Sequence, residues 1–240
     1  KVTRTNLKVI SFDDYMNDKN QKKLKIIIAS DLNYSPIKKF LLSKNFVEDQ
    51  DFCNYKKIAC IWPFKLEKKV HLWRTDILLT EKCTLNCTFC NMYMPHYKNA
   101  KHRNLDQIKK DISLYFKAVD YVSIFHLVGG EPLMYPQFNE VLEYIGKNFR
   151  DKIAILLLTT NGTLVPKELT FQLMKKFSVL VYLSDYTDNI NYKRRLNQLT
   201  ENFKKHEINY LHRKDISWSD FGDPSIEKFT EIDALAKSYI

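Results

Sequence analysis

Three cysteines that lie within eight residues of one another are the side chains of this 240-residue chain best suited to chemistry. Cys83, Cys87 and Cys90 form a CX3CX2C run, short enough for their thiols to hold three corners of a cubane iron–sulfur cluster. No fourth cysteine follows at a matching spacing. An electron-transfer cluster normally has four protein thiolates, whereas three leave one iron open to a reacting ligand. The run therefore predicts a catalytic [4Fe-4S] cluster.

A structural zinc ion is the alternative ligand for the same three cysteines. His96 follows the run and would complete a Cys3His set. We favour the cluster because the run follows an expected strand rather than lying in a compact zinc-finger hairpin. The two remaining cysteines, Cys53 and Cys60, stand apart in the sequence and are expected to pack as small apolar side chains.

Glycine is scarce, and three of the five glycines lie in two loops that follow expected strands. Gly129 and Gly130 open a Gly-Gly-Glu-Pro segment, and Gly162 belongs to a Thr-Thr-Asn-Gly-Thr segment. Glycine permits a positive φ and lets the backbone approach a ligand closely. Loops at the carboxyl ends of parallel strands are also where such sheets place their binding sites. We therefore expect both loops to contact a ligand, whereas ordinary turns explain Gly146 and Gly222.

The elements that must position these residues read as repeated βα units around a parallel sheet. Apolar runs indicate strands, and apolar side chains three and four residues apart indicate helices. The expected strands are residues 72–79, 121–128, 153–158, 179–183 and 208–211. The expected helices include residues 105–115, 138–145 and 190–206, one beginning near Pro166 and one after Trp218. The sequence thus predicts an α/β fold, a partial parallel (β/α)5-6 TIM-like barrel.

Residues 1–68 are expected to form a small N-terminal α/β appendage of unknown role, ahead of a barrel at residues 69–240. A strand at 26–29 and a helix beginning at Ser35 are expected within the appendage. The net charge of +10 is concentrated here, with 15 Lys and Arg against 8 Asp and Glu in residues 1–70. The lysines lack interleaved aromatic side chains, which favours a solvated surface over a nucleic-acid site.

The compartment and the extent of the chain are further expectations. No stretch reaches the roughly 18 apolar residues that a membrane span needs, and residues 1–20 lack the apolar region of a signal peptide. Clustered cysteines suit a reducing compartment, so we expect a cytoplasmic protein without a membrane partner. No sixth strand is evident after the fifth, which leaves open whether the chain is a fragment of a longer barrel.

These segments together resemble the radical S-adenosylmethionine (SAM) superfamily. The CX3CX2C run, with the aromatic residue Phe89 just before its last cysteine, is similar to the superfamily signature. The Gly-Gly-Glu-Pro and Thr-Thr-Asn-Gly-Thr segments are similar to companion motifs of the branch that includes molybdenum-cofactor cyclases and peptide-modifying maturases. The resemblance covers roughly residues 72–212.

The resemblance implies two cofactors, a [4Fe-4S] cluster on the three cysteines and SAM. Reductive cleavage of SAM gives a 5′-deoxyadenosyl radical, which abstracts a hydrogen atom from a substrate, here a sugar derivative or a peptide. Phe89 would lie near the adenine and Glu131 would anchor the amino acid end of SAM. The ribose would be reached from the fourth strand. The full set of expected cofactor contacts is Phe89, Gly129, Gly130, Glu131, Asn161, Ser184 and Asp185.

The resemblance also implies partners, namely an electron donor such as flavodoxin or ferredoxin and a small-molecule or peptide substrate. Asp185, Tyr186, Asp188 and the segment 218–222 follow later strands and are candidates to face the substrate. His126 precedes the glycine loop and is expected to be a core histidine. Two alternative functions stay open, a glycyl-radical activating enzyme and a zinc-stabilised nucleic-acid-binding module.

Overall fold

Two compact units divide the chain, residues 1–68 and residues 69–240. The computed structural model describes residues 12–17, 25–30, 33–88, 90–188 and 190–214. Three features expected from the sequence lie outside these described residues, namely Phe89, the segment 218–222 and the helix after Trp218.

The first unit contains a two-stranded parallel sheet and short helices. Its elements are α1 (Phe12–Asn17), β1 (Ile26–Ile28), α2 (Tyr34–Ser43), β2 (Phe52–Asn54), a π-helical turn (Lys57–Ile61) and α3 (Trp62–Glu67). Ile28, Leu41 and Phe52 form its small buried core. The sequence predicted β1 and α2, which are confirmed. It did not predict β2 or the turn into α3. The Phe-Cys-Asn of β2 lacks the continuous apolar run that the three isoleucines of β1 provide, and a five-residue turn is too short to show a helical period.

The second unit alternates strands and helices. The strands are β3 (His71–Leu78), β4 (Tyr121–Val128), β5 (Ile153–Thr160), β6 (Val179–Asp185) and β7 (Tyr210–Lys214). The helices between them are α4 (Leu105–Ala118), α5 (Phe138–Asn148), α6 (Glu168–Lys176) and α7 (Lys193–Lys205). All the strands are parallel and lie in the order β3-β4-β5-β6-β7. This arrangement confirms the α/β fold, and within the described residues the sheet does not close on itself.

The last strand lies further along the chain than the sequence indicated. It was expected at residues 208–211, but it comprises Tyr210–Lys214. The expected strand began at Ile208 because this residue is apolar. Ile208 is buried, but it precedes the strand. The strand itself lies at the edge of the sheet and is mostly exposed, so it carries little apolar signal.

The helices bury one apolar stripe each against the sheet. Ile108, Ile112 and Phe116 of α4 recur at four-residue spacing and join Phe125 and Leu156 of the strands in one core cluster. This burial stabilises each helix more than local propensity does. In the described part of the chain, no helix is long and apolar enough to cross a membrane.

The two faces of the central strands carry different kinds of side chain. Phe125 and Leu127 of β4 are fully buried in the core, whereas His126 between them lines a cavity on the opposite face. Successive side chains of a strand point to opposite faces, so this alternation follows from the sequence itself. The face that carries Phe125 and Leu127, here called the outer face, therefore packs against the helices and stabilises the fold. The opposite face, here called the inner face, carries His126 and borders the cavity.

Gly146 has a packing role that the sequence analysis missed. It was expected in an ordinary turn, but it lies inside α5. A Cβ atom added there would lie 2.2 Å from Cδ1 of Phe177, so the helix can approach this ring only with glycine. The turn prediction for Gly146 is therefore wrong.

Substituting Gly146→Ala tests this close packing. Alanine favours a helix by about 1 kcal/mol over glycine, but overpacking of the Phe177 ring costs about 1 to 3 kcal/mol, so we expect net destabilisation. Urea unfolding of the metal-free protein measures it. In the double variant Gly146→Ala/Phe177→Leu the loss should be smaller than the sum of the two single losses. Strict additivity would contradict the proposed contact.

Candidate active site

A cavity of about 490 Å³ lies on the inner face of the parallel sheet. Loops that follow four consecutive strands, β3 to β6, all contribute to it. The carboxyl ends of parallel strands meet at one edge of a sheet, which is why residues far apart in sequence converge here. The residues from the expected site that line the cavity are Cys83, Cys87, Cys90, Gly129, Gly130, Asn161 and Ser184.

The three cysteines are half-buried, and none of them is in a disulfide. Burial raises the pKa of the Cys83 thiol to about 11 and also raises the pKa of Cys87 above its usual range. Negative charge on neighbouring groups acts in the same direction. Both thiols are thus protonated in the metal-free chain at neutral pH, and a bound metal must displace these protons.

The donor set fits an iron–sulfur cluster better than a single zinc ion. Among the described residues, no three His, Cys, Asp or Glu side chains converge closely enough to hold one metal ion. His96, the expected fourth zinc ligand, lies in the 3-10 turn Met94–His96 and does not line the cavity. A cubane binds each thiolate through a different iron atom, so it requires three thiols around a shared volume rather than around a point.

The glycine loop after β4 lies directly against the cysteine loop. The backbone N–H of Gly130 donates to the carbonyl of Thr80 at 2.9 Å, and that of Glu131 donates to the carbonyl of Lys82 at 2.9 Å. A Cβ atom on Gly130 would lie 2.4 Å from the Lys82 carbonyl oxygen and 2.7 Å from Cβ of Cys83. Close approach, rather than a positive φ, is therefore what requires glycine here.

The side chain of Glu131 is fully buried and joins two loops. Its carboxylate accepts hydrogen bonds from the Asn161 N–H at 2.8 Å, the Thr160 hydroxyl at 2.9 Å and the Leu133 N–H at 3.1 Å. It does not line the cavity. Burial raises the pKa of Glu131 to about 7, and the three hydrogen bonds oppose that rise. The carboxylate therefore connects the loops that follow β4 and β5.

Asn161 links the loop after β5 to the cysteine loop. Its side-chain Nδ2 donates to the Thr84 hydroxyl at 3.0 Å and to Sγ of Cys83 at 3.7 Å. Its Oδ1 accepts from the backbone N–H of Thr163 at 3.0 Å. The following Gly162 has φ +73°, a conformation that favours glycine, so the loop can turn at this point.

Ser184 and Asp185 lie on opposite faces of β6, as the strand period requires. Ser184 lines the cavity. The Asp185 carboxylate lies outside it and accepts from the Thr187 N–H at 2.9 Å and from His212 Nε2 at 2.9 Å. Burial acts to raise the pKa of Asp185, but these hydrogen bonds outweigh it and hold the pKa below its usual range. Only Ser184 of this expected pair faces the cavity.

Several cavity residues were not expected from the sequence. The strands carry polar side chains on the inner face, namely Arg74, Asp76, His126, Thr159, Tyr182 and Arg213. His126 is buried as expected of a core histidine, but both of its ring nitrogens contact polar groups and it lines the cavity. The available signal was the spacing in β3 and β6, where Arg74 and Asp76, and likewise Tyr182 and Ser184, stand two residues apart. Of the substrate candidates, Tyr186 lines the cavity, whereas Asp188 pairs with Lys214 at 2.6 Å.

Comparison with known proteins identifies relatives of this chain. The sequence pattern of the Radical SAM superfamily matches residues 77–218, more than half of the chain. The antilisterial bacteriocin subtilosin biosynthesis protein AlbA of Bacillus subtilis is 32% identical over 114 residues, which are 47% of this chain and 23% of AlbA. GTP 3′,8-cyclase of Aquifex aeolicus is 31% identical over 108 residues, 44% of this chain and 32% of the cyclase.

Solved structures with a similar fold include anSMEcpe with bound AdoMet, with a TM-score of 0.47, 20% identity, and coverage of 59% of this chain and 41% of that one. Streptococcus suis SuiB bound to its precursor peptide SuiA has a TM-score of 0.47, 17% identity, and coverage of 85% and 49%. The chain spans less than a third of the length of the curated relatives that it matches.

Substituting Gly130→Ala tests the approach of the two loops. The added methyl group overlaps the Lys82 carbonyl and Cβ of Cys83, so the cysteine loop must move. We expect the free energy of unfolding to fall by about 1 to 3 kcal/mol. We also expect the variant to bind much less iron than wild type after anaerobic reconstitution. Lys82→Ala, which shortens an exposed side chain and keeps the backbone, is the matched control. Normal iron content in the glycine variant would show that the contact is dispensable.

Substituting Glu131→Gln tests the buried carboxyl in the metal-free protein. Because folding raises its pKa from an ordinary 4.5 to about 7, the folded state binds the proton more tightly. Its stabilising contribution is fully present below pH 4.5 and is lost as the pH rises through about 7, a change on the order of 3 kcal/mol. The glutamine variant should lack this fall in the free energy of unfolding, whereas Glu140→Gln, on an exposed helix position, should keep it. If the free energy of unfolding changed equally with pH in wild type and in both variants, the raised pKa would not belong to Glu131.

Proposed function

The chain belongs to the radical SAM superfamily, and from that premise we propose that it cleaves SAM reductively at a [4Fe-4S] cluster held by Cys83, Cys87 and Cys90. The observation that carries the proposal is that the three thiols share one cavity with the glycine loop and with Asn161. Members of this superfamily use both cofactors. Membership also favours an enzyme over the zinc-stabilised nucleic-acid-binding module.

The bound cluster and SAM supply an electron and a cleavable sulfonium, which give a 5′-deoxyadenosyl radical able to abstract a hydrogen atom. The protein contributes binding, orientation and exclusion of water. Its half-buried thiols provide the cluster ligands. The hydrogen bonds from Gly130 and Glu131 to the cysteine loop hold those ligands in place before either cofactor arrives.

We assign different roles to the residues expected to contact SAM. Gly129 and Gly130 present backbone to the cavity and are proposed to bind the amino acid end of SAM. Glu131 is proposed to position that loop through its buried hydrogen bonds rather than by direct contact. Ser184, which faces the cavity, is proposed to bind the ribose, and Asp185 to position the end of β6. The adenine contact expected of Phe89 stays a prediction.

The substrate is proposed to be a sugar derivative or a peptide. The relatives support this pair of classes, since one is named for bacteriocin biosynthesis and the other for cyclisation of GTP. The electron is proposed to come from a flavodoxin or a ferredoxin. The cavity is lined by the same loop that carries the thiols, so a substrate bound in it would lie beside the bound SAM.

Anaerobic reconstitution with iron and sulfide, followed by dithionite and SAM, tests the proposal. We expect 5′-deoxyadenosine to form in wild type and to fall to background in Cys87→Ala, because the cluster loses one of its three ligands. Cys60→Ala, which removes a half-buried thiol from the first unit, should retain both cluster and product. Chromatography measures 5′-deoxyadenosine. Protein that binds one zinc ion and no iron would overturn the proposal.

A further inference from the structure

Complete (β/α)8 barrels are filled largely with branched apolar side chains, whereas the inner face of this open sheet carries a row of polar side chains beside the apolar Val128 and Leu157. Four adjacent strands, β3 to β6, place Arg74, Asp76, His126, Thr159 and Tyr182 along the floor of the cavity. A polar group kept from water costs free energy unless it has a partner, so such a floor is favoured only where a polar ligand or water covers it. The question is which groups the floor offers to that ligand.

The contacts of Arg74 fix the state of His126. The Nη2 atom of Arg74 lies 2.7 Å from Nδ1 of His126. A guanidinium group has donors only, so Nδ1 must be the acceptor and the ring is neutral, with its proton on Nε2. The Asp76 carboxylate, 3.3 Å from the same Nδ1, also has acceptors only, so it makes no hydrogen bond to this neutral ring. His126 Nε2 therefore donates to the Thr159 hydroxyl at 2.7 Å.

This order of donors leaves hydroxyl protons available on the floor. The Thr159 oxygen accepts from His126, so its own O–H is left to donate. The Tyr182 oxygen accepts from Nη1 of Arg213 at 2.8 Å, so its O–H is likewise left to donate. In the part of the chain that the structure describes, neither hydroxyl donates to a protein acceptor.

Arg74 itself keeps donor capacity. Its Nε and Nη2 atoms bind the two oxygens of Asp76, at 2.7 Å and 3.2 Å, and Nη2 also binds His126. The two N–H groups of Nη1 have no partner among the described residues, and nearly half of the side chain, 46%, is exposed. Among the described residues that line the cavity, the charged side chains are Arg74, Asp76 and Arg213.

We propose that this floor is the subsite for a substrate that carries an anionic oxygen group, a carboxylate or a phosphate, bound at Arg74, with further acceptor oxygens bound by Thr159 and Tyr182. The inference rests on the proposed function and adds the substrate class. Donors dominate the floor, so acceptors must dominate the ligand. Three strand spacings of about 4.8 Å separate β3 from β6, so the row suits several oxygens on one molecule.

Binding of two probes, inorganic phosphate and acetate, tests the subsite. Each is titrated into the reconstituted, SAM-saturated protein without reductant, at constant ionic strength, and the melting temperature is followed. Wild type should show a saturable rise with at least one probe. In Arg74→Gln the apparent affinity should fall by about tenfold or more, because a charged hydrogen-bond partner is lost. The probe that responds identifies a phosphate-bearing or a carboxylate-bearing substrate.

Three further variants control this test. Arg195→Gln removes the same charge from an exposed position on α7 and should keep the wild-type response, which also accounts for general salt effects. Arg74→Lys keeps the charge and should restore part of the affinity. Tyr182→Phe removes one donor with almost no change of shape, so it should weaken binding even if Arg74→Gln folds poorly.

Two outcomes would overturn the subsite. One is a wild-type protein that responds to neither probe, and the other is an equal response in wild type, Arg74→Gln and Tyr182→Phe. Formation of 5′-deoxyadenosine is measured on the same preparations in a separate reaction with dithionite. Its absence from wild type would defeat the proposed function, while the anion titration, which needs no reductant, would be read independently.

Discussion

The close approach of three loops depends on the buried carboxyl of Glu131. Its oxygens receive hydrogen bonds from the loop after β5 and from its own loop, while its backbone N–H reaches the cysteine loop. A buried ionisable group is costly unless it is well hydrogen-bonded, so this site is stable only while all three loops stay in register. The glycines beside it are the geometric condition for the same arrangement, since any side chain there would separate the loops.

Because successive side chains of a strand point to opposite faces, the residues that pack in the core alternate with the residues that line the cavity. In β4, Phe125 and Leu127 join the core while His126 lines the cavity, and in β6 Ser184 faces the cavity while Asp185 does not. A shift of register by one residue would exchange these faces and bury the polar row in the core. The apolar face therefore fixes the register, and the register in turn fixes which polar groups meet in the cavity.

The sequence predicted the elements and the loops of the site more successfully than it predicted which side chains face the cavity. The cysteine run and the glycine segments could be recognised in the sequence because rare residues recur there at short, fixed spacings. In the structure their loops line the same cavity. Arg74 and Tyr182 could not be assigned to the cavity from the sequence, because polar side chains two residues apart in a strand do not reveal which face of the sheet is covered by helices. Gly146 was misjudged for a related reason, since its role depends on Phe177, more than thirty residues away.

The polar floor also has a consequence for how the protein divides its stability. The core cluster joins apolar side chains of the helices, such as Ile112, to those of the outer face, such as Phe125, and burial of these side chains favours the folded state. On the inner face, His126 of β4 is buried and is hydrogen-bonded both to Arg74 of β3 and to Thr159 of β5, so it connects three neighbouring strands. Arg74 can accept nothing, so the direction of each hydrogen bond in this chain is determined by chemistry rather than by local rearrangement. A fixed row of donors lets an acceptor-rich ligand bind without reorganising the floor, and a preorganised site of this kind suits an enzyme that must hold its substrate beside a reactive cofactor.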